Sequence, residues 1–151
     1  MKSFGPLLCV LASALILVGG AQADGSEDGG CAQVQAVGIG QDLGGGSTTA
    51  TISHGGRLNG TTSGQFAITG AAPVFTITGT VVFATKHGTL SANVTGTFDV
   101  TSGAFNASGP VSAGTGNLAG TTGSLTFAGV ENLATGVFTE TITGTLCQAG
   151  D

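Results

Sequence analysis

The chain has 151 residues, a formal net charge of −5 and only three Lys or Arg residues. Nucleic acid and anionic membranes are therefore not expected partners, because both are bound through clustered cations. Its 29 glycines, together with abundant Thr and Val and no window of apolar spacing at helical period, oppose a helical fold.

Residues 1–23 place Lys2 ahead of an apolar run from Leu7 to Val18 and end on the small-x-small triplet Ala21-Gln22-Ala23. This pattern predicts a signal peptide cleaved after Ala23, and hence a secreted or periplasmic protein. The run falls short of the roughly 20 apolar residues of a membrane span, so no membrane anchor is expected. Cys9 lies early in that run without small residues before it, which argues against a lipoprotein cysteine. Residues 24–30 read as a flexible acidic leader, 31–147 as one β-barrel domain and 148–151 as a C-terminal tail.

Cleavage would leave Arg57 and Lys86 as the only strong cations, and Cys31 and Cys147 as the only cysteines. Exported chains meet oxidising conditions, so these two are predicted to pair, the alternative being two free thiols. The bridge would tie the first strand to the last.

Apolar-alternating runs recur every 8 to 12 residues or so, separated by glycine-rich turns, which is the pattern of an antiparallel sheet that closes or sandwiches. The runs predict eight strands, at 31–39, 49–54, 65–69, 74–85, 89–101, 104–112, 123–128 and 137–147, with 41–47 as a loop. Repeated Thr-Gly-Thr and Thr-Ile-Thr units put threonine on one face and Phe, Ile, Leu or Val on the other. The fold expected is all-β, a closed eight-stranded antiparallel β-barrel. An immunoglobulin-like sandwich would more often bring a core Trp and a mid-chain disulfide.

The last strand carries the one break in this pattern. Phe138, Ile142 and Leu146 share a face, Thr139, Thr141, Thr143 and Thr145 share the other, and Glu140 lies in phase with the apolar set. A strand that buries Phe138 and Ile142 also aims a carboxylate inward. The alternatives are an ion pair between Glu140 and Arg57 or Lys86, or a register that turns Glu140 outward.

The segment Gly109–Gly123, GPVSAGTGNLAGTTG, resembles the turn-rich segment of the allene oxide cyclase and dirigent-like barrel superfamily. The matching positions are Gly114, Thr115, Gly116, Leu118 and Gly123, followed by Leu125 and Phe127, with a looser likeness from Thr48 to Leu146. The resemblance implies an eight-stranded barrel whose central cavity takes a small apolar molecule, in proteins that are often homo-oligomers. Plant members tend to carry a basic residue near the position of Thr122, and none of their catalytic residues is carried over.

If the apolar phase marks the lumen, Phe66, Phe75, Phe83, Phe98 and Phe138 line a ligand site, and His54 and His87 approach it near strand ends. With Glu140 as the catalytic candidate, these histidines form the one titratable group suited to acid-base work. Both histidines also read as turn residues, in His54-Gly55-Gly56-Arg57 and Lys86-His87-Gly88. Asp99 reads as a turn residue and Glu131 as a connection residue within reach of a barrel mouth. No metal-ligand spacing, nucleophile elbow or phosphate loop is present, so neither metal nor cofactor is expected. Three functions follow: a carrier of a small hydrophobic ligand, a cofactor-free isomerase or cyclase, or an ice-binding surface built on the threonine rows.

Overall fold

The computed structural model describes residues Gly30–Ala149. The predicted signal peptide, the leader up to residue 29 and the last two residues of the tail lie outside the described residues. Eight strands form β1 (Cys31–Gly44), β2 (Ser47–Ser53), β3 (Gly60–Ala71), β4 (Val74–Thr85), β5 (Gly88–Asp99), β6 (Ala104–Gly114), β7 (Thr122–Glu131) and β8 (Val137–Cys147). Each pairs antiparallel with the next, and β1 pairs with β8, so the sheet is a closed barrel. Cys31 stands opposite Cys147 in that last pairing and is disulfide-bonded to it. Among the described residues, no helix is long and apolar enough to cross a membrane.

Alternation decides what is inside. Ala50 and Ile52 on β2, Val81 and Phe83 on β4, and Leu125 and Phe127 on β7 are buried, whereas Thr51 and Thr126 between them are exposed and Val82 is half-buried. Strands β1, β3 and β7 run beyond their predicted limits, to Gly44, over Gly60–Ala71 and to Glu131. The added stretches are rich in glycine and polar residues, Gly40 to Gly44 on β1, Gly60 to Gly64 on β3 and Gly129 to Glu131 on β7, and carry little apolar alternation. Their strand state comes from ladder bonds to neighbours, as where Gly60 to Gly64 run opposite Thr85 to Val81. The predicted loop at 41–47 shrinks accordingly to a tight turn at Gly45-Gly46.

The two ends of the barrel differ. One end carries the disulfide, the β4–β5 turn and two longer connections, each with a 3-10 turn, Gly56–Leu58 and Gly116–Leu118. Leu58 and Leu118 drop from those turns into the lumen and are buried there, beside Leu90, Leu125 and Phe83. Phe83 and Phe127 pack with ring centroids 6.1 Å apart. The opposite end is formed by four short hairpin turns, β1–β2, β3–β4, β5–β6 and β7–β8, and it is open.

Candidate functional site

A cavity of about 180 Å³ enters the barrel from the open end. That is somewhat larger than the roughly 150 Å³ engineered cavity known to take benzene. Its walls are mainly apolar and carry five phenylalanines, Phe66 on β3, Phe98 on β5, Phe105 on β6, Phe127 on β7 and Phe138 on β8. Phe105 and Phe138 meet edge to face with centroids 5.7 Å apart, a preferred aromatic geometry that fixes one side of the wall.

Glu140 is part of this wall. It is only 9 % exposed. Its neighbours across the ladder are Gly38 on β1 and Gly129 on β7. A Cβ at Gly38 would stand 2.7 Å from Glu140 Oε1 and 2.8 Å from its Cγ, and a Cβ at Gly129 would stand 2.9 Å from the Glu140 Cβ. The two glycines therefore leave a niche that the glutamate fills, and the carboxylate lies over Gly38.

Among the described residues nothing pairs with that carboxylate. Arg57 lies in the 3-10 turn at the closed end and Lys86 in the β4–β5 turn at the same end, so the ion-pair alternative is excluded, as is the outward register. Among the described residues Glu140 has no hydrogen-bond partner, and burial alone raises its pKa from the ordinary 4.5 to about 7. Losing hydration disfavours the charged form, and no donor restores it.

Two further acids stand at the mouth. Glu131 ends β7 and Asp42 lies near the end of β1, both on the cavity lining. Burial raises the Glu131 pKa, and the Asp42 carboxylate raises it further. Asp99, the last residue of β5, accepts hydrogen bonds from the Thr101 hydroxyl and, at 2.8 Å, from the Thr101 amide. Those bonds hold its pKa below the usual value, the hydroxyl contributing most, as a turn residue should show.

Of the residues singled out from sequence, the cavity gathers Glu140, Phe66, Phe98 and Phe138. Phe83 points inward as expected but is sealed in the packed closed half. Phe75 is half-buried opposite Phe98, outside the cavity lining. The histidines lie elsewhere. His54 is exposed in a left-handed conformation (φ 60°) that ends β2, with Nδ1 3.1 Å from Ser53 Oγ, and His87 sits in the β4–β5 turn. Both are at the closed end, so the acid-base group expected of them with Glu140 does not assemble. Sequence reasoning passed over Asp42, Phe105 and Phe127. Phe105 is in phase with Ala107, Phe127 with Leu125, and Asp42 with Val34 and Ala36 through two glycines, a signal that glycine erased.

No metal-binding cluster of His, Cys, Asp or Glu occurs among the described residues. What the site can do is enclose a small apolar body and present one buried carboxylate to it. No family model matches the sequence, and no curated protein or solved structure matches the chain.

Proposed function

We propose that this protein is an exported barrel that binds a small apolar molecule in its open lumen, with Glu140 as the polar contact that orients the ligand. The observation that carries this reading is an aromatic cavity, open to solvent, with an unpaired buried carboxylate in its wall. Pockets of this kind, mostly apolar with a few placed polar groups, are how small ligands are held. Export is supported by the signal-like residues 1–23 and by the Cys31–Cys147 bridge. The threonine outer face is the reverse of a lipid-facing barrel, whose apolar band points outward, and so supports a ligand rather than a bilayer as partner. It also wraps a curved surface, which does not match a flat ice lattice.

Native mass spectrometry of protein taken from its source, with an indole titration followed by NMR, tests the reading. Indole is expected to shift resonances of Phe98, Phe105 and Phe138 in a saturable way. No shift in the lumen, together with no co-purifying mass, would sink it.

One observation favours a second reading, an isomerase or cyclase of the allene oxide cyclase and dirigent-like type. A carboxyl group with a pKa of about 7 is suited to give or take a proton at neutral pH. In that case the aromatic wall folds a reactive substrate and Glu140 transfers the proton. Turnover lost in Glu140→Gln with ligand affinity kept would distinguish catalysis from carriage.

A further inference from the structure

The polar group that a lumen ligand must carry can be read from the distribution of charge. Among the described residues every acid, Asp42, Asp99, Glu131 and Glu140, lies in the open half or at its turns. The two strong cations among them, Arg57 and Lys86, and both histidines lie in the turns of the closed end. Among the described residues, charge is therefore polarised along the barrel axis, and the acids at the mouth attract positive charge.

Inside, the only titratable groups on the cavity lining are Asp42, Glu131 and Glu140. The groups flanking Glu140 come from β1, with Gly38 opposite and Asp42 further along, and from β7, with Gly129 opposite and Glu131 further along. The facing wall offers Thr62, Val81 and Val94, none of them charged. An anionic ligand would meet three carboxyl groups and no cation. A neutral one could at most hydrogen-bond the buried carboxylate and would leave its charge uncompensated. A cation relieves that cost, and the faces of the surrounding phenylalanines attract it as well.

We infer that the lumen takes an organic cation, a protonated amine carried on a single aromatic ring or an aliphatic body of similar size. The inference rests on the lumen-binding reading above. The ammonium is held by Glu140 and the body by Phe66, Phe98, Phe105 and Phe138. Because Glu140 in the empty lumen titrates near pH 7, an incoming ammonium lowers its pKa, and binding near neutrality releases a proton.

Three probes of matched shape separate the possibilities: 2-phenylethylamine, 2-phenylethanol and 3-phenylpropionate, titrated into the disulfide-bonded protein and followed by NMR. At about pH 8, above the Glu140 pKa of about 7, the amine is expected to bind about tenfold more tightly than the alcohol and the anion least. The advantage of the amine over the alcohol should shrink towards unity in Glu140→Gln, and should fall at about pH 5, where Glu140 is protonated. Glu131→Gln, at the mouth, should reduce it by less. If the alcohol matches the amine, if the anion binds best, or if Glu140→Gln leaves the amine's advantage intact, the cation assignment is overturned while lumen binding stands. If none of the three shifts lumen resonances, lumen binding itself is overturned and the cation assignment falls with it.

Discussion

The closed and open halves of the barrel are built from the same eight strands with the same alternation, yet one is a packed core and the other a cavity. In the closed half the connections are long enough to fold a 3-10 turn, and each turn delivers a leucine, Leu58 or Leu118, into the lumen. In the open half the hairpin turns are short and nothing comparable enters. Small residues there, Thr62 and Ala107, line a space that the phenylalanines rim without filling. An alternating strand thus determines which side chains point inward, and the connections determine whether the interior is full. The closed half also holds the covalent tie, leaving the open half free to carry a group that costs stability.

The largest test of that division is removal of the Cys31–Cys147 bridge by paired Cys→Ala substitution. The bridge spans 116 residues, so its loss should cost on the order of 4 to 5 kcal/mol by loop entropy, read as a fall in the urea midpoint. A loss below about 1 kcal/mol would mean that ladder pairing of β1 with β8 closes the barrel unaided.

Next in size, Phe83→Ala in the closed half should cost about 3 to 5 kcal/mol, because its ring is wholly buried. Phe98→Ala, on the cavity wall and half-buried, should cost less than half as much in the same denaturation assay. Equal costs would break the contrast between a packed half and an open one.

A smaller effect, of opposite sign, is expected at Glu140. Its pKa is about 7 in the folded protein against 4.5 ordinarily, so the folded state binds the proton more tightly than the unfolded chain. Stability should therefore be unaffected by this group below about pH 4.5, fall as pH rises from there to about 7, and level off above. Glu140→Gln removes the dependence and should stabilise the protein by about 2 to 3 kcal/mol above pH 7 while changing little near pH 4. Thermal melts of both proteins across that range check the sign, and a destabilised Glu140→Gln at high pH would show that the carboxylate has a partner.

The smallest effect concerns the niche. In Gly38→Ala the new Cβ would stand 2.7 Å from Glu140 Oε1, so the flexible carboxylate should swing into the lumen at a cost of about 1 kcal/mol. In a Glu140→Ala background most of that penalty should vanish, a coupling that a double-mutant cycle measures.

Several features were legible because they depend on local period or on chemistry. Alternation in Val137–Cys147 placed Glu140 inward, and the two cysteines left by the predicted cleavage, one near each end of the domain, named their own partner. Eight apolar runs gave eight strands, and strand period is a property of the backbone that tertiary context rarely reverses. The histidines were misplaced for a related reason: near a strand end, period cannot say where pairing stops. His54 takes a left-handed turn and His87 lies two residues beyond the end of β4.

Composition and period by themselves determined the fold class, the inward set and the buried acid, since each follows from which residue types alternate along an extended chain. Only the tertiary structure decided how far β1 and β7 run, and with that it brought Asp42 and Glu131 to one mouth with Glu140 beneath them. It alone left one end plugged and the other open. The physical reason is that strand length in glycine-rich and polar stretches is set by ladder bonds to partners distant in sequence, and barrel filling by the path of the connections. Neither is encoded in the local pattern.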